Sequence, residues 1–212
     1  MHNEKTFVVT ANPETFVRAL SDEKLNELLL HEEVTVVADG IGIVKGAKKF
    51  GLNINERIPG IDIANELLKI CDTYNKSIYF FGSKQDVVNA LCDVVKTEFP
   101  NINIVGAENG YSDNKDIIFD EIKQLRPDVV FVALGIPNQE KLIYKHYFDF
   151  DKGIFVGVGG SFDVISKKKA RAPKFFIDNN IEWLYRIFKE PFRIKRFIKN
   201  NVQYMYRIIK RK

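Results

Sequence analysis

The sequence predicts a doubly wound α/β fold, with a mostly parallel sheet and a basic helical C-terminal appendage. Three observations carry this expectation. Six short apolar runs are nearly continuous rather than alternating, stretches with helical spacing lie between them, and the charge divides sharply near residue 166. Continuous runs of Val, Ile and Phe suit strands covered on both faces, as in a parallel sheet. Strands that alternate with helices point to α/β organisation.

The six runs fall in order at residues 6–9, 34–38, 77–81, 102–105, 128–134 and 154–158. Between the third and its neighbours, residues 61–74 place Ile63, Leu67, Leu68 and Cys71 on one helical face. Residues 87–99 do the same with Val88, Leu91, Val95 and Phe99. The loops after the runs read TAN, DGIG, FGS, VGAENG, ALGIPNQE and GVGGSFD. Ligands of open α/β sheets bind beyond the carboxyl ends of the strands. Glycine there permits close backbone approach, although a βα turn also uses glycine for its geometry alone. No internal repeat or low-complexity segment interrupts the pattern.

The chain has 212 residues, of which 45% are apolar and 12% aromatic, which excludes a disordered or collagen-like protein. That length fits one domain with an appendage. Cys71 and Cys92 form no CxxC pair, so a reduced, cytosolic chain is expected rather than a disulfide scaffold. The first residues show no signal-peptide core, and no apolar stretch is long enough to span a bilayer. The net charge of +4 conceals an asymmetry: residues 167–212 hold 15 Lys+Arg and 3 Asp+Glu, a net of +12, which leaves −8 on residues 1–166. The expected division is therefore a core over 1–166 and an appendage over 167–212. Such a tail suits a polyanionic partner, either nucleic acid or an anionic membrane.

The motifs narrow the chemistry. GVGGSFD follows a strong strand and is expected to open a helix, where backbone N–H groups can hold a phosphate. Its glycines, Gly157, Gly159 and Gly160, do not match G-x-G-x-x-G, and no P-loop occurs, so nicotinamide and P-loop chemistry are disfavoured. Asp39 ends the second run, where it suits either a tuned general base or a helix cap. Asp149-Phe150-Asp151 forms a D-x-D triplet, but it precedes the last strand, at the edge away from the glycine loops, so a solvated turn is expected and no metal site. His2, His31 and His146 have no zinc-like spacing, and G-x-S-x-G is absent.

The tail reads as helices broken near Pro173 and Pro191. In the last one Ile194, Phe197, Ile198, Val202, Met205, Ile208 and Ile209 share one face, and Arg193, Arg196, Lys199, Asn200, Gln203, Arg207 and Lys210 share the other. This is a basic amphipathic helix, a membrane-surface signature, with a helix packed on the core as the alternative. No nucleic-acid motif accompanies it.

Taken together, these residues resemble the WecG/TagA/CpsF family of bacterial glycosyltransferases. The matching pieces, in order, are TANPE (10–14), ADGIG (38–42), ERIPGID (56–62), FGS (81–83), GIPNQE (135–140), GVGGSFD (157–163), RAP (171–173), EWLYR (182–186) and EPFRIKR (190–196). The resemblance implies a Rossmann-like core and an inverting transfer of an N-acetylated amino sugar, such as N-acetylmannosamine, from a UDP-sugar. The implied acceptor is an undecaprenyl-pyrophosphate-linked sugar at the cytoplasmic face of the membrane, for teichoic acid, capsule or related polysaccharide.

The resemblance also implies site residues. Asp39 takes the place of the base, with Thr10 and Asn12 beside it. Arg57, Gly82, Gly135, Gln139, Gly157, Gly159, Gly160, Asp163 and Arg171 are expected to bind substrate. Arg186, Arg193 and Arg196 would complete the site from a membrane-docked appendage. With no cofactor and no metal motif, the leaving pyrophosphate falls to backbone N–H groups and to arginines, whose planar fork pairs bidentately with phosphate. Family members carry a further strand and helix ahead of the TANPE piece, so an edge element is expected to be missing here. The other functional class is a non-catalytic nucleotide-sugar or polyanion-binding module, and a homo-oligomer is left open.

Overall fold

The structure, a computed structural model, describes residues 5–210 apart from the side chain of Arg193; His2 lies outside the described residues. In chain order the elements are β1 (Lys5–Ala11), α1 (Pro13–Ala19), α2 (Glu23–Leu30), β2 (Val34–Ala38), α3 (Ile41–Lys49), α4 (Gly60–Thr73), β3 (Ser77–Gly82), α5 (Gln85–Glu98) and β4 (Asn103–Glu108). They continue with α6 (Lys115–Leu125), β5 (Val129–Ala133), α7 (Asn138–Tyr147), β6 (Gly153–Gly157), α8 (Ser161–Ile165), α9 (Lys174–Asp178), α10 (Glu182–Lys189) and α11 (Arg193–Lys210).

The strands form one sheet in the order β2-β1-β6-β5-β3-β4, and every pairing is parallel. All six expected runs are strands. The fourth extends further than its run suggested, because Gly106 continues the ladder instead of turning the chain. A Cβ there would meet the Tyr79 ring at 2.2 Å, so glycine leaves room for that ring as the β3–β4 register shifts.

Both faces of the sheet are covered, as the unbroken apolar runs require. Along β3, Tyr79 and Phe81 point into one layer with Leu25, Leu28, Phe119, Ile143 and Tyr147 of α2, α6 and α7. Ile78 and Phe80 point into the other, with Leu68, Cys71, Leu91, Val95 and Phe162 of α4, α5 and α8. The central strands alternate between two apolar layers, which is why their sequences read as continuous.

The tail helices pack on the core at one end. Tyr204 and Ile208 of α11 are buried against Val17 of α1. The Tyr204 hydroxyl donates to Gly42 O at 3.0 Å, and Lys49 Nζ donates to the terminal carbonyls of Ile208 and Ile209 at 2.6 and 3.0 Å. A Cβ at Gly46 would lie 2.1 Å from the Tyr204 hydroxyl, so this glycine admits α11 to α3.

The expected two-faced reading of α11 needs correcting. Asn200, assigned to the polar face, is buried, and the single apolar face is split, with Ile208 buried while Ile194, Ile198, Val202, Met205 and Ile209 are exposed. At about 100° per residue the helix carries three arcs instead of two. One arc, with Phe197, Asn200, Tyr204 and Ile208, faces the body. A second, with Ile194, Ile198, Val202, Met205 and Ile209, is exposed. The basic residues occupy the third. Packing on the core and an exposed apolar stripe therefore coexist on one helix.

Candidate functional site

The chain leaves β1 onto the α1/α2 face and leaves β6 onto the α8 face. Adjacent strands whose connections part in this way open a crevice at their carboxyl ends. Thr10 Oγ1 donates to Gly157 O at 3.2 Å and ties the two strands at that point. β2, beside β1, delivers Asp39, whose backbone N–H donates to Ala11 O at 2.8 Å.

Asp39 is not a helix cap. The N-cap of α3 is Gly40, and no side chain caps that helix. Its carboxyl lies instead at the floor of a cavity of about 510 Å³. Burial pushes its pKa up to about 7, against the pull of Arg186, Arg57 and the Gly60 backbone N–H, with Glu182 adding to the rise. A carboxyl poised near neutrality is suited to taking a proton from a hydroxyl. The polar wall of the cavity includes Asn12, Glu14, Lys45, Arg57, Glu182, Arg186 and Arg196; the apolar wall includes Trp183, Ile187, Phe197 and Met205 from α10 and α11. Trp183 and Phe197 stack at 4.5 Å, joining the two tail helices at its rim.

Asn12 has a structural duty. It is the N-cap of α1, and its Oδ1 accepts from the backbone N–H groups of Glu14 and Thr15 at 2.9 and 3.1 Å. Thr15 Oγ1 accepts in return from Asn12 N at 3.2 Å. The cap holds Asn12 at the cavity wall, with its Nδ2 as the group it can offer a ligand.

The arginines converge on one carboxylate. Arg57 Nη2 and Arg186 Nη2 lie 3.1 and 3.2 Å from the oxygens of buried Glu182, and Arg171 Nε lies 3.8 Å away. Burial opposes ionisation of Glu182, but Arg186, Arg171 and Arg57 outweigh it and hold the group below the usual carboxylate range. Arg171 also pairs with Asp62 at 2.6 Å. Arg196 reaches Glu14 at 3.4 Å across the cavity mouth. Arg193 opens α11, but its side chain lies outside the described residues.

A second cavity, of about 360 Å³, lies behind Glu182 and Arg186. Gly160, Asp163, Lys169, Arg171, Tyr185 and Lys189 line it. GVGGSFD does open a helix, the short α8, with Gly160 at its N-cap.

Gln139, Gly135, Gly157 and Gly159 form the support between these loops. Gln139 is buried, and its Oε1 accepts from Gly135 N and Gly159 N at 3.0 and 3.1 Å. Its Nε2 donates to buried Glu140 at 2.7 Å. One amide thus fixes the loops after β5 and β6 together. Gly82 lies elsewhere: its φ is +127°, and a Cβ would strike the Ala133 backbone at 2.5 Å, so it serves the close approach of β3 to β5. The D-x-D aspartates lie at the opposite end of the sheet, Asp151 paired with Arg126 at 2.7 Å and Asp149 3.8 Å from His146.

Sequence reasoning missed Glu182, Lys45 and Trp183. The signal for Glu182 and Trp183 was present in EWLYR, where only the arginine was singled out.

The family described as "Glycosyl transferase WecG/TagA/CpsF family" matches residues 1–212. A protein of Bacillus spizizenii named N-acetylglucosaminyldiphosphoundecaprenol N-acetyl-beta-D-mannosaminyltransferase is 40% identical over 194 residues, covering 92% of this chain and 75% of the relative. The Bacillus subtilis protein of the same name is 37% identical over 189 residues, 89% of this chain and 73% of its own. A Staphylococcus aureus (strain MW2) protein, again so named, is 37% identical over 191 residues, 90% and 74% of the two chains.

Proposed function

The chain belongs to the WecG/TagA/CpsF family of glycosyltransferases, and from that premise we propose that it moves an N-acetylated amino sugar, N-acetylmannosamine in the first instance, from a UDP-sugar to a polyprenyl-diphosphate-linked N-acetylglucosamine. The observation that carries this reading is Asp39, a carboxyl near neutrality at the floor of a cavity rimmed by arginines. The relatives' printed names supply the sugar and the acceptor class.

The reaction is a single displacement. The acceptor hydroxyl oxygen forms a bond to the anomeric carbon as the bond from that carbon to the UDP oxygen breaks. Asp39 takes the hydroxyl proton, and the bonding pair leaves with the diphosphate. Displacement of this kind inverts an α-linked donor to a β-linked product. Arg57 and Arg186 stand where they can neutralise the developing charge on the diphosphate, and guanidinium groups suit that task through bidentate geometry. In the Gly157–Gly160 loop the N–H of Gly159 is held by Gln139, so the backbone of Gly160, which lines the cavity beside Arg186, is what the loop offers to the same anion.

The appendage, residues 167–212, serves as the membrane contact. Ile194, Ile198, Val202 and Ile209 form an exposed apolar stripe on α11, and Phe175, Phe188 and Phe192 of the same appendage are exposed too. Flanking Lys195, Lys199 and Lys210 meet anionic headgroups, each worth on the order of 1 kcal/mol at such a surface. Among the described residues no helix is long and apolar enough to cross a membrane; the proposed contact is a peripheral one through this apolar stripe. A panel of UDP-sugars, assayed with lipid-diphosphate-linked N-acetylglucosamine in liposomes, tests the reading. One UDP released per β-linked amino sugar is the expected product ratio. Binding of donors without turnover across the whole panel would contradict it.

A further inference from the structure

Glu182 is a buried carboxylate of the tail helix α10, 4% exposed, in the wall shared by the two cavities. Its Oε2 accepts from Arg57 Nη2 at 3.1 Å and its Oε1 from Arg186 Nη2 at 3.2 Å. Arg171 Nε, buried without a hydrogen-bond partner, lies 3.8 Å from the same Oε1. These guanidinium groups come from three places: the loop before α4, the segment before α9, and α10 itself. One carboxylate thus gathers cations that the chain supplies from core and tail.

The consequence bears on Asp39. Arginines left unopposed beside a carboxyl favour its ionised form and weaken it as a base. They would also be free to swing away from the cavity, since a guanidinium is ordered only by what it pairs with. We propose that Glu182 is a positioning residue of the transfer site: it docks α10 on the core through Arg57, aims Arg57 and Arg186 at the diphosphate position, and offsets their charge at Asp39. The inference rests on the reading of Asp39 as the base. The charged groups that face Asp39 are Arg57 from the α3–α4 loop, Glu182 and Arg186 from α10, Lys45 from α3, Arg196 from α11 and Glu14 from α1. Lys45 and Arg196 are exposed, so solvent and salt screen them more than the buried Glu182–Arg57 pair.

Carboxyl-carbon NMR of the full chain, labelled with 13C at aspartate, reads the effect without turnover; Asp39→Asn assigns the Asp39 resonance by its loss. In Glu182→Gln, Asp39 is expected to titrate about one pH unit lower than in the wild type. The acid limb of kcat/KM against pH moves with it. The Arg57→Gln/Glu182→Gln double variant removes one charge of each sign beside Asp39 and leaves the net charge around it unchanged, so its Asp39 titration returns to within about half a unit of the wild type. Glu182→Asp keeps the charge on a shorter arm. It is expected to hold the wild-type titration while raising the donor KM severalfold. The double variant and Glu182→Asp carry the test if Glu182→Gln does not fold. An unmoved Asp39 titration in Glu182→Gln, a double variant shifted as far as the single, or an unchanged donor KM in Glu182→Asp overturns the proposal. Full activity of Asp39→Asn would instead remove Asp39 as the base, and the NMR result would still judge the placement of charge by Glu182.

Discussion

Replacing Asp39 by Asn should make the protein more stable, and increasingly so as pH rises. Burial lifts the Asp39 pKa from the usual 3.8 to about 7 in the folded chain. A shift of about three units corresponds to about 4 kcal/mol. The sign follows from proton binding. The folded chain holds this proton more tightly than the unfolded chain, so its contribution to stability is complete below about pH 3.8 and is lost as pH rises through about 7. Asparagine has no proton to lose. The stability of Asp39→Asn relative to the wild type is therefore expected to grow by up to about 4 kcal/mol between about pH 4 and pH 8, then level off. Urea unfolding of both proteins across that range, with equal m-values, measures the difference. A difference that stays flat with pH, or falls, refutes the claim that burial holds this carboxyl near neutrality.

Other outcomes follow from the same geometry. The acid limb of kcat/KM against pH in the wild type should fall near 7, the pKa of Asp39 in the free protein, and a limb near 4 would place the base elsewhere. In Gly157→Ala the new methyl would meet Gln139 Nε2 at 2.7 Å; displacing that amide frees Gly135 N and Gly159 N, and should raise the donor KM at least tenfold at a stability cost of about 1–3 kcal/mol. In Gly46→Leu the side chain occupies the place of the Tyr204 hydroxyl, so hydrogen exchange across residues 193–210 should approach that of a frayed helix while the sheet stays protected. Deleting residues from Pro191 onward should reduce both liposome binding and transfer to a membrane-embedded acceptor; undiminished transfer would deny the appendage a part in either.

The sheet was legible because its physics is local. The central strands are buried on both faces, and that writes an unbroken apolar run such as VVFVA of β5. β1 and β4 both run past their apolar runs; β4 does so through a glycine whose purpose is to receive a ring from β3, and no local pattern reveals a partner strand. Asp39 was legible as a residue but not in its role. Its position alone allowed a cap or a base, and only the placement of Gly40 at the N-cap separates the two. The role of Glu182 was not legible, because it depends on Arg57 and Arg171, distant in sequence, as well as on Arg186 one turn away. On α11 the exposed apolar stripe follows from spacing, whereas the burial of Asn200 depends on which arc meets α1, which spacing cannot say.

The central claim is that Asp39 accepts the proton of the acceptor hydroxyl, and its most direct test is transfer by wild type and Asp39→Asn side by side. The assay supplies UDP-N-acetylmannosamine and lipid-diphosphate-linked N-acetylglucosamine in anionic liposomes at about pH 8, where the wild-type carboxyl is ionised. The expected result is a folded variant that binds liposomes and donor as the wild type does, with kcat lower by roughly a hundredfold or more. A folded Asp39→Asn that transfers sugar at near wild-type rate would contradict the account.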